Sequence, residues 1–318
     1  MVRLGIMGCG SIAGRMAAVI GKTDGVELKA VAARDWERAK AFGEAFGAEK
    51  AYGSYAELAR DHEVDAVYIA TIHPAHAACI RLCLENGKAV LCEKPMAMSA
   101  REAEAMVALA REKGVLLVEG LWTRFLPAWK EIKRLINDGA IGRIRYMQTD
   151  FSVDLPFDPE SRIYDLEKGG GALLDVGVYA FHVLLYTLGI QYETMKAVGR
   201  LSPTGSDCFA STLLRYPDGC VAEASCGCDM AGPNMAHIHG EKGHIDVPAM
   251  FGATSFTLYR QGKEAETFSF DTGDGFQYEL MEFARLVEEG ALESESVPLA
   301  DTLAVSRLID EAMVQIRA

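Results

Sequence analysis

Positive charge is what this chain is short of: 32 Lys and Arg stand against 45 Asp and Glu, a formal net charge of −13 over 318 residues. That deficit argues against nucleic acid or an anionic membrane as the partner, because both select basic surfaces. No apolar stretch is expected to reach the roughly 20 residues that a membrane span requires. Met1-Val2-Arg3 runs directly into a strand, so no signal peptide is expected either. Internal repeats and low-complexity segments are absent. Metal-ligand clusters are missing too: no Cys, Asp or Glu stands near His73 and His76 to complete a set, and no metal is expected. The one close cysteine pair, Cys226-Gly-Cys228, is too tight for zinc spacing. The eight cysteines therefore read as reduced, partly buried residues of a cytoplasmic protein.

What is present is an ordinary globular composition, 50% hydrophobic and 24% charged, at a length that suits two domains. The chain opens on an apolar strand, Val2–Met7, followed by Gly8-Cys9-Gly10-Ser11-Ile12-Ala13 and a helix to about Ile20. That is a G-x-G-x-x-A dinucleotide fingerprint placed between a strand and a helix. Gly8 allows the tight turn, Gly10 admits a pyrophosphate, and Ser11 and Ile12 open the helix whose N-terminus meets the phosphate charge. A second strand over 26–33 ends in Arg34-Asp35. An acid at this point holds the ribose of NAD and an arginine accommodates the 2′-phosphate of NADP. Arg34 comes first and Asp35 is placed to cap the next helix, so NADP is favoured, with NAD possible.

A strand over 65–70 leads to Thr71-Ile72-His73-Pro74-Ala75-His76, where His73 or His76 is expected to touch the cofactor, a surface or capping histidine being the alternative. The next apolar run, 89–92, ends in Glu93-Lys94-Pro95, which strand packing does not explain. In open α/β sheets ligands bind beyond the carboxyl ends of the strands, so Lys94 is expected at the mouth of the site. After a strand over 115–119 come Trp122, Arg124 and Phe125, read as a substrate-pocket wall or, alternatively, as aromatic core. From Arg143 onward, alternating strands joined by Gly, Pro and Asp turns predict a largely antiparallel sheet with one covering helix. Two amphipathic helices, about 276–288 and 299–317, end the chain. The covering helix carries Gly169-Gly-Gly171, Asp175, Tyr179 and His182, spaced to share one face if the helix is regular. Its glycines suggest a close approach by another group. His182 is the candidate that a core histidine would equally explain.

Taken together, Gly8-x-Gly10, Glu93-Lys94-Pro95 and the Gly-Gly-x-x-x-Asp175-x-x-x-Tyr179 segment resemble the glucose-fructose oxidoreductase/inositol dehydrogenase/rhizopine-catabolism (Gfo/Idh/MocA) family over essentially the whole chain. Ala33-Arg34-Asp35, His73-Pro-x-His76 and Trp122-Thr-Arg-Phe125 are similar to its dimeric dihydrodiol and NADP-linked D-xylose dehydrogenase branch. Inositol dehydrogenases carry a histidine where Tyr179 stands here, which counts against inositol. The resemblance implies an α/β protein with a Rossmann domain over 1–120. It also implies an α+β domain with a largely antiparallel open sheet over 121–318, leaving open whether the C-terminal helices pack back on the first domain.

It implies, too, hydride transfer between nicotinamide and a carbinol carbon of a sugar, polyol or trans-dihydrodiol. Tyr179 exchanges the proton, Lys94 lowers the phenol's pKa, Asp175 orients either, and Glu93 sits nearer the cofactor. Trp122, Arg124, Phe125 and His182 face the substrate. A homodimer or larger oligomer through the C-terminal sheet is expected. The other classes left open are a non-catalytic NAD(P)-binding sensor and an NAD-dependent glycosidase of the same family.

Overall fold

Strand and helix alternate regularly over the first third of the chain. In the computed structural model, which describes Met1–Ala318, the order is β1 (Val2–Met7), α1 (Ser11–Ile20), β2 (Val26–Ala32), α2 (Trp36–Phe46), β3 (Lys50–Tyr52), α3 (Tyr55–Arg60), β4 (Ala66–Ile69), α4 (His76–Glu85), β5 (Ala89–Glu93), α5 (Ala100–Lys113) and β6 (Leu117–Gly120). β4, β5 and β6 are buried throughout, as unbroken apolar strands are when helices cover both faces of a sheet. Every pairing is parallel and the order is β3-β2-β1-β4-β5-β6, the doubly wound Rossmann arrangement. Its switch point lies between β1 and β4. The helix starts follow their side chains: Asp35 accepts from Arg38 N–H at 2.9 Å, and Ser54 and Ser99 accept from Glu57 and Glu102 N–H at 3.3 Å.

The rest of the chain gives α6 (Pro127–Asn137), β7 (Ile144–Ser152), α7 (Val178–Leu188), β8 (Thr194–Leu201), β9 (Asp207–Arg215), β10 (Val221–Gly227), β11 (Ala236–Gly240), β12 (Gly243–Val247), β13 (Ser255–Arg260), β14 (Glu266–Ser269), α8 (Phe276–Glu288) and α9 (Leu299–Arg317). Eight strands form one sheet in the order β14-β13-β12-β11-β7-β10-β9-β8. Six of its seven pairings are antiparallel; β7 and β10, at the centre, are parallel. α7 packs on β7 and β10 and covers one face. Val178–Leu185 is buried without a break, so this helix is apolar all round because it is interior.

The chain divides into two units. One holds Met1–Trp122 with Phe276–Leu303, the other Thr123–Gly275 with Ala304–Ala318. α8 thus belongs with the parallel sheet, where it packs on α1 and β1. The tail of α9 belongs with the eight-stranded sheet, where Gln315 Oε1 accepts from Ala197 N–H at 2.9 Å. One expectation is corrected. The helical stretch Leu166–Leu188 is long and apolar enough to cross a membrane, although 78% of its apolar window is buried inside the protein. Covering a sheet demands the same apolar length as crossing a bilayer, and here the sheet takes it.

Candidate functional site

In the first unit, Gly8 sits at φ +98°, and a Cβ there would lie 2.5 Å from the Ala70 carbonyl, so only glycine lets β1 turn against the end of β4. Gly10 is the opposite case. A Cβ on it would meet nothing within 4 Å, leaving open space directly ahead of the α1 N-terminus. A cavity of about 290 Å³ opens here, lined among others by Gly10, Arg34, Arg38, Tyr55 and Thr71. Asp35 spends its side chain on capping α2, which leaves Arg34 as the exposed charge at the end of β2. Arg38 was not anticipated. Its guanidinium donates to the Cys9 carbonyl at 2.9 and 3.3 Å, tying α2 to the glycine loop. Its spacing of three from Asp35, on the first turn of a helix beside the fingerprint, was the available signal. Burial raises the Cys9 thiol and pushes that of Cys79 up to about 11, so neither is a ready thiolate.

His73 and His76 lie edge to face, with ring centres 5.7 Å apart. His73 is 6% exposed and His76 is wholly buried. His76 does not reach the cofactor with its own ring: Nδ1 is 2.8 Å from the Pro95 carbonyl and Nε2 3.1 Å from that of Thr71. It straps the loop after β4 to the loop after β5. Burial depresses its basicity, and the two carbonyl contacts oppose that. The peptide between Lys94 and Pro95 is cis. Glu93 was expected nearer the cofactor, but it is 7% exposed and accepts from the Tyr68 hydroxyl of the adjacent strand. Burial raises its pKa, against the pull of Tyr68 and Lys94. Glu119 accepts from Met96 N–H at 2.9 Å and from the Thr302 hydroxyl at 2.7 Å, bracing the backbone just after Lys94-Pro95. Trp122 ends this unit, its ring 5.2 Å from that of Phe276, with the Arg15 guanidinium 5.2 Å from Trp122 and 4.1 Å from Phe276.

In the second unit the glycine-rich segment is not a regular helix. A π-helical turn, Leu173–Gly177, leads into α7. The close approach foreseen at its glycines comes from the protein itself. Gly171 takes φ +128°, and a Cβ there would lie 2.1 Å from Asp207 Oδ1. Asp207 Oδ2 accepts from Leu173 N–H at 2.6 Å and so anchors the turn. The wider turn splits the expected stripe of Asp175, Tyr179 and His182. Asp175 forms a two-pronged pair with Arg162, both contacts at 3.1 Å. Tyr179, 9% exposed, sets its ring edge-on to Phe151 at 5.5 Å and Phe251 at 6.5 Å, and those two phenylalanines stack at 4.3 Å. His182 has no exposed surface and belongs to the core, not to a substrate wall.

Arg124 and Phe125 are corrected in the same way. They are 3% and 1% exposed, and the Arg124 guanidinium lies 4.6 Å over the Tyr186 ring of α7. The 3-10 turn at Trp122–Phe125 aims successive side chains differently, which strand-end position alone does not reveal. Arg162, Phe151, Phe251 and Phe276 were missed. Arg162 sits in a polar stretch without periodicity, and the phenylalanines read as ordinary strand, turn and helix residues. No group of three or more His, Cys, Asp or Glu is arranged to hold a metal ion.

Residues 2–121 match the model of an oxidoreductase family with an NAD-binding Rossmann fold, and residues 129–246 match the GFO/IDH/MocA C-terminal domain. The chain belongs to the Gfo/Idh/MocA family. Among Gfo/Idh/MocA proteins, it is 38% identical over 320 residues to the trans-1,2-dihydrobenzene-1,2-diol dehydrogenase of Mus musculus, covering 98% of this chain and 96% of that one. With the Homo sapiens enzyme of the same name it shares 35%, covering 98% and 95%. Among solved structures it is similar to KijD10, a 3-ketoreductase from Actinomadura kijaniata in complex with NADP and TDP-benzene. That match has 31% identity and a TM-score of 0.90, over 99% of this chain and 98% of that one. A levoglucosan dehydrogenase in complex with NADH and levoglucosan shares the fold, with TM-score 0.91 and 22% identity over 99% and 97%. As a Gfo/Idh/MocA protein, this chain is an NAD(P)-dependent oxidoreductase. Its glycine loop, its open Gly10 and the arginine beside the cavity fit a nicotinamide dinucleotide.

Proposed function

We propose that this oxidoreductase interconverts a secondary alcohol and its carbonyl on a sugar, polyol or trans-dihydrodiol, with NADP as the preferred partner. The observation that carries the reading is Tyr179, held edge-on to the stacked Phe151 and Phe251 at the start of α7. A phenol so placed can exchange a proton with an alcohol, and the flat phenylalanine pair offers an apolar wall to a ring-shaped diol. The similarity to dihydrodiol dehydrogenases and to an NADP-bound 3-ketoreductase supports the substrate class. The nicotinamide, when bound, supplies or accepts the hydride.

The chain's own residues manage the proton. In oxidation the substrate hydroxyl gives its proton to Tyr179 as the carbinol C–H leaves as hydride; in reduction both steps reverse. Lys94 supplies positive charge that favours the phenolate, and Asp175, paired with Arg162, fixes the backbone from which Tyr179 projects. Arg34 takes the 2′-phosphate. The enzyme works as a homodimer or larger oligomer through its eight-stranded sheet, in the cytoplasm, where its eight unpaired thiols persist.

The test is a panel of aldoses, inositols and trans-dihydrodiols with NADP and NAD, followed at the reduced-nicotinamide band. Tyr179→Phe should lower kcat by about 10²–10⁴-fold with cofactor affinity kept. Lys94→Met should cost a comparable factor, and the double variant little more than either alone. Silence of the wild-type enzyme across the panel, or a fully active Tyr179→Phe, would overturn the reading.

A further inference from the structure

α7 covers one face of the eight-stranded sheet, and the other face is open. On it stand Val198, Leu213, Val221 and Tyr259, exposed by 69%, 49%, 38% and 36%. Across the same face runs a ladder of rings. Tyr146 of β7 stacks on His239 of β11 with centres 5.8 Å apart, and His237 and His239 on β11 are 6.3 Å apart. His239 stacks on His244 of β12 at 5.5 Å, and His244 on Tyr259 of β13 at 4.3 Å. Register explains the ladder: Tyr146, His239, His244 and Tyr259 are directly opposed from strand to strand. Three of the chain's seven histidines are therefore neighbours on one surface.

The charged and titratable groups around them are few. Asp246 of β12 accepts from or caps His237 Nδ1 at 2.7 Å. Tyr146 donates to Glu223 of β10 at 3.1 Å. Beyond the ladder's end, Arg143 and Arg145 pair with Glu241. The opposite half of the face is basic: Lys196 and Arg200 of β8 and Arg215 of β9, the last two paired with Asp229 and Glu193.

We infer that this face is a proton-gated surface for a second copy of the chain, closed while His237, His239 and His244 are neutral and opened by their protonation. The inference rests on the self-association proposed above. Size supports it: eight strands about 4.8 Å apart and about six residues long offer roughly 700 Å², near the ~800 Å² per partner of a standard interface. Charge supports it as well. A two-fold axis parallel to the strands lays the Lys196–Arg215 half of one copy over the histidine half of the other. With neutral imidazoles that half carries Asp246 and Glu223, which complement the lysine and arginines. With protonated imidazoles it becomes basic and faces like charge.

Burial, then His244 and His237, already hold His239 below the ordinary histidine range. A second copy removes more water and adds cations, so the assembled form binds fewer protons than the separated chains. The sign follows: assembly is favoured as pH rises and lost as pH falls through the histidine range near ~6.5.

Sedimentation velocity on the full-length protein at about pH 8 and about pH 5.5, with far-UV circular dichroism at both, tests this, the two conditions bracketing the ordinary histidine pKa. The expected result is a dimer at the higher pH whose Kd rises by about 10- to 1,000-fold at the lower, one factor of ten for each imidazole whose pKa falls by a unit. His239→Gln/His244→Gln, or His239→Gln alone should the pair not fold, should remain dimeric at both. Leu213→Glu should be monomeric at both with unchanged dichroism. A wild type that is monomeric throughout overturns self-association and this inference with it, while the redox reading is judged separately by the substrate panel. A dimer indifferent to pH, histidine variants that still dissociate, a dimeric Leu213→Glu, or dissociation accompanied by loss of helical signal each overturns the gate.

Discussion

Arg34 and Arg38 line one cavity but hold different things. Arg34 stands exposed at the end of β2, where a 2′-phosphate adds two negative charges, while Arg38 grips the Cys9 carbonyl of the glycine loop. Removing Arg34 should therefore discriminate and removing Arg38 should not. Arg34→Ala is expected to cost about 1.5–3 kcal/mol of NADP affinity, the worth of a charge-assisted hydrogen bond, and to leave NAD nearly unchanged. Arg38→Ala should loosen the loop that both cofactors use and weaken both by about tenfold, or ~1.4 kcal/mol. Fluorescence titration of each variant with each cofactor decides it; equal losses for Arg34→Ala would remove it from specificity. Arg34 could be read from its place after an apolar strand. Arg38 could not, because its partner is a carbonyl 29 residues away.

At the scale of single elements, two glycines five or more strands apart in the chain show how one residue type serves opposite purposes. Gly10 has φ −93° and nothing within 4 Å of a built Cβ, so Gly10→Ala should melt like the wild type yet bind dinucleotide poorly, the methyl standing where the pyrophosphate approaches. Gly171, at φ +128° and 2.1 Å from Asp207 Oδ1, has neither the backbone freedom nor the space. Gly171→Ala should lose about 3 kcal/mol or more in urea denaturation, the range of strained backbone plus a displaced buried carboxylate. A stable Gly171→Ala would mean the π-helical turn can relax away from Asp207. The sequence showed that these glycines matter and misjudged why: the expected visitor to the 169–171 run is β9.

For the molecule as a whole, stability against pH is set partly by carboxyls that solvent never reaches. Glu279 of α8 is wholly buried with no hydrogen-bond partner on either oxygen. Burial raises its pKa well above the ordinary value, and Glu93 and Glu119 add to the rise. The folded protein therefore keeps a proton that the unfolded chain releases above about pH 4.3. Stability from this group is present below that pH and falls as pH rises toward the folded pKa. Glu279→Gln, neutral and of the same shape, removes the dependence. Its melting temperature should match the wild type near pH 4.5 and exceed it increasingly toward pH 8, the window above the unfolded glutamate pKa. A constant difference across that range would show that Glu279 is not the proton carrier.

The sequence by itself determined the parallel sheet, the glycine loop, the helix caps and the positions of Lys94 and Tyr179, because each rests on local spacing: an apolar run, a turn residue, a capping side chain three residues ahead. It anticipated four strands of the second sheet and passed over β8, β11, β12 and β14, which are short or carry polar residues on both sides of the alternation. Only the tertiary structure decided what buried them. Arg124, Phe125 and His182 had the composition of a pocket wall and became core, while Arg162 and the Phe151–Phe251 stack had no local signature and came to flank Asp175 and Tyr179. Burial is a property of what packs on a residue from distant parts of the chain. The same is true of the histidine ladder, in which residues 146, 239, 244 and 259 become neighbours only through strand register.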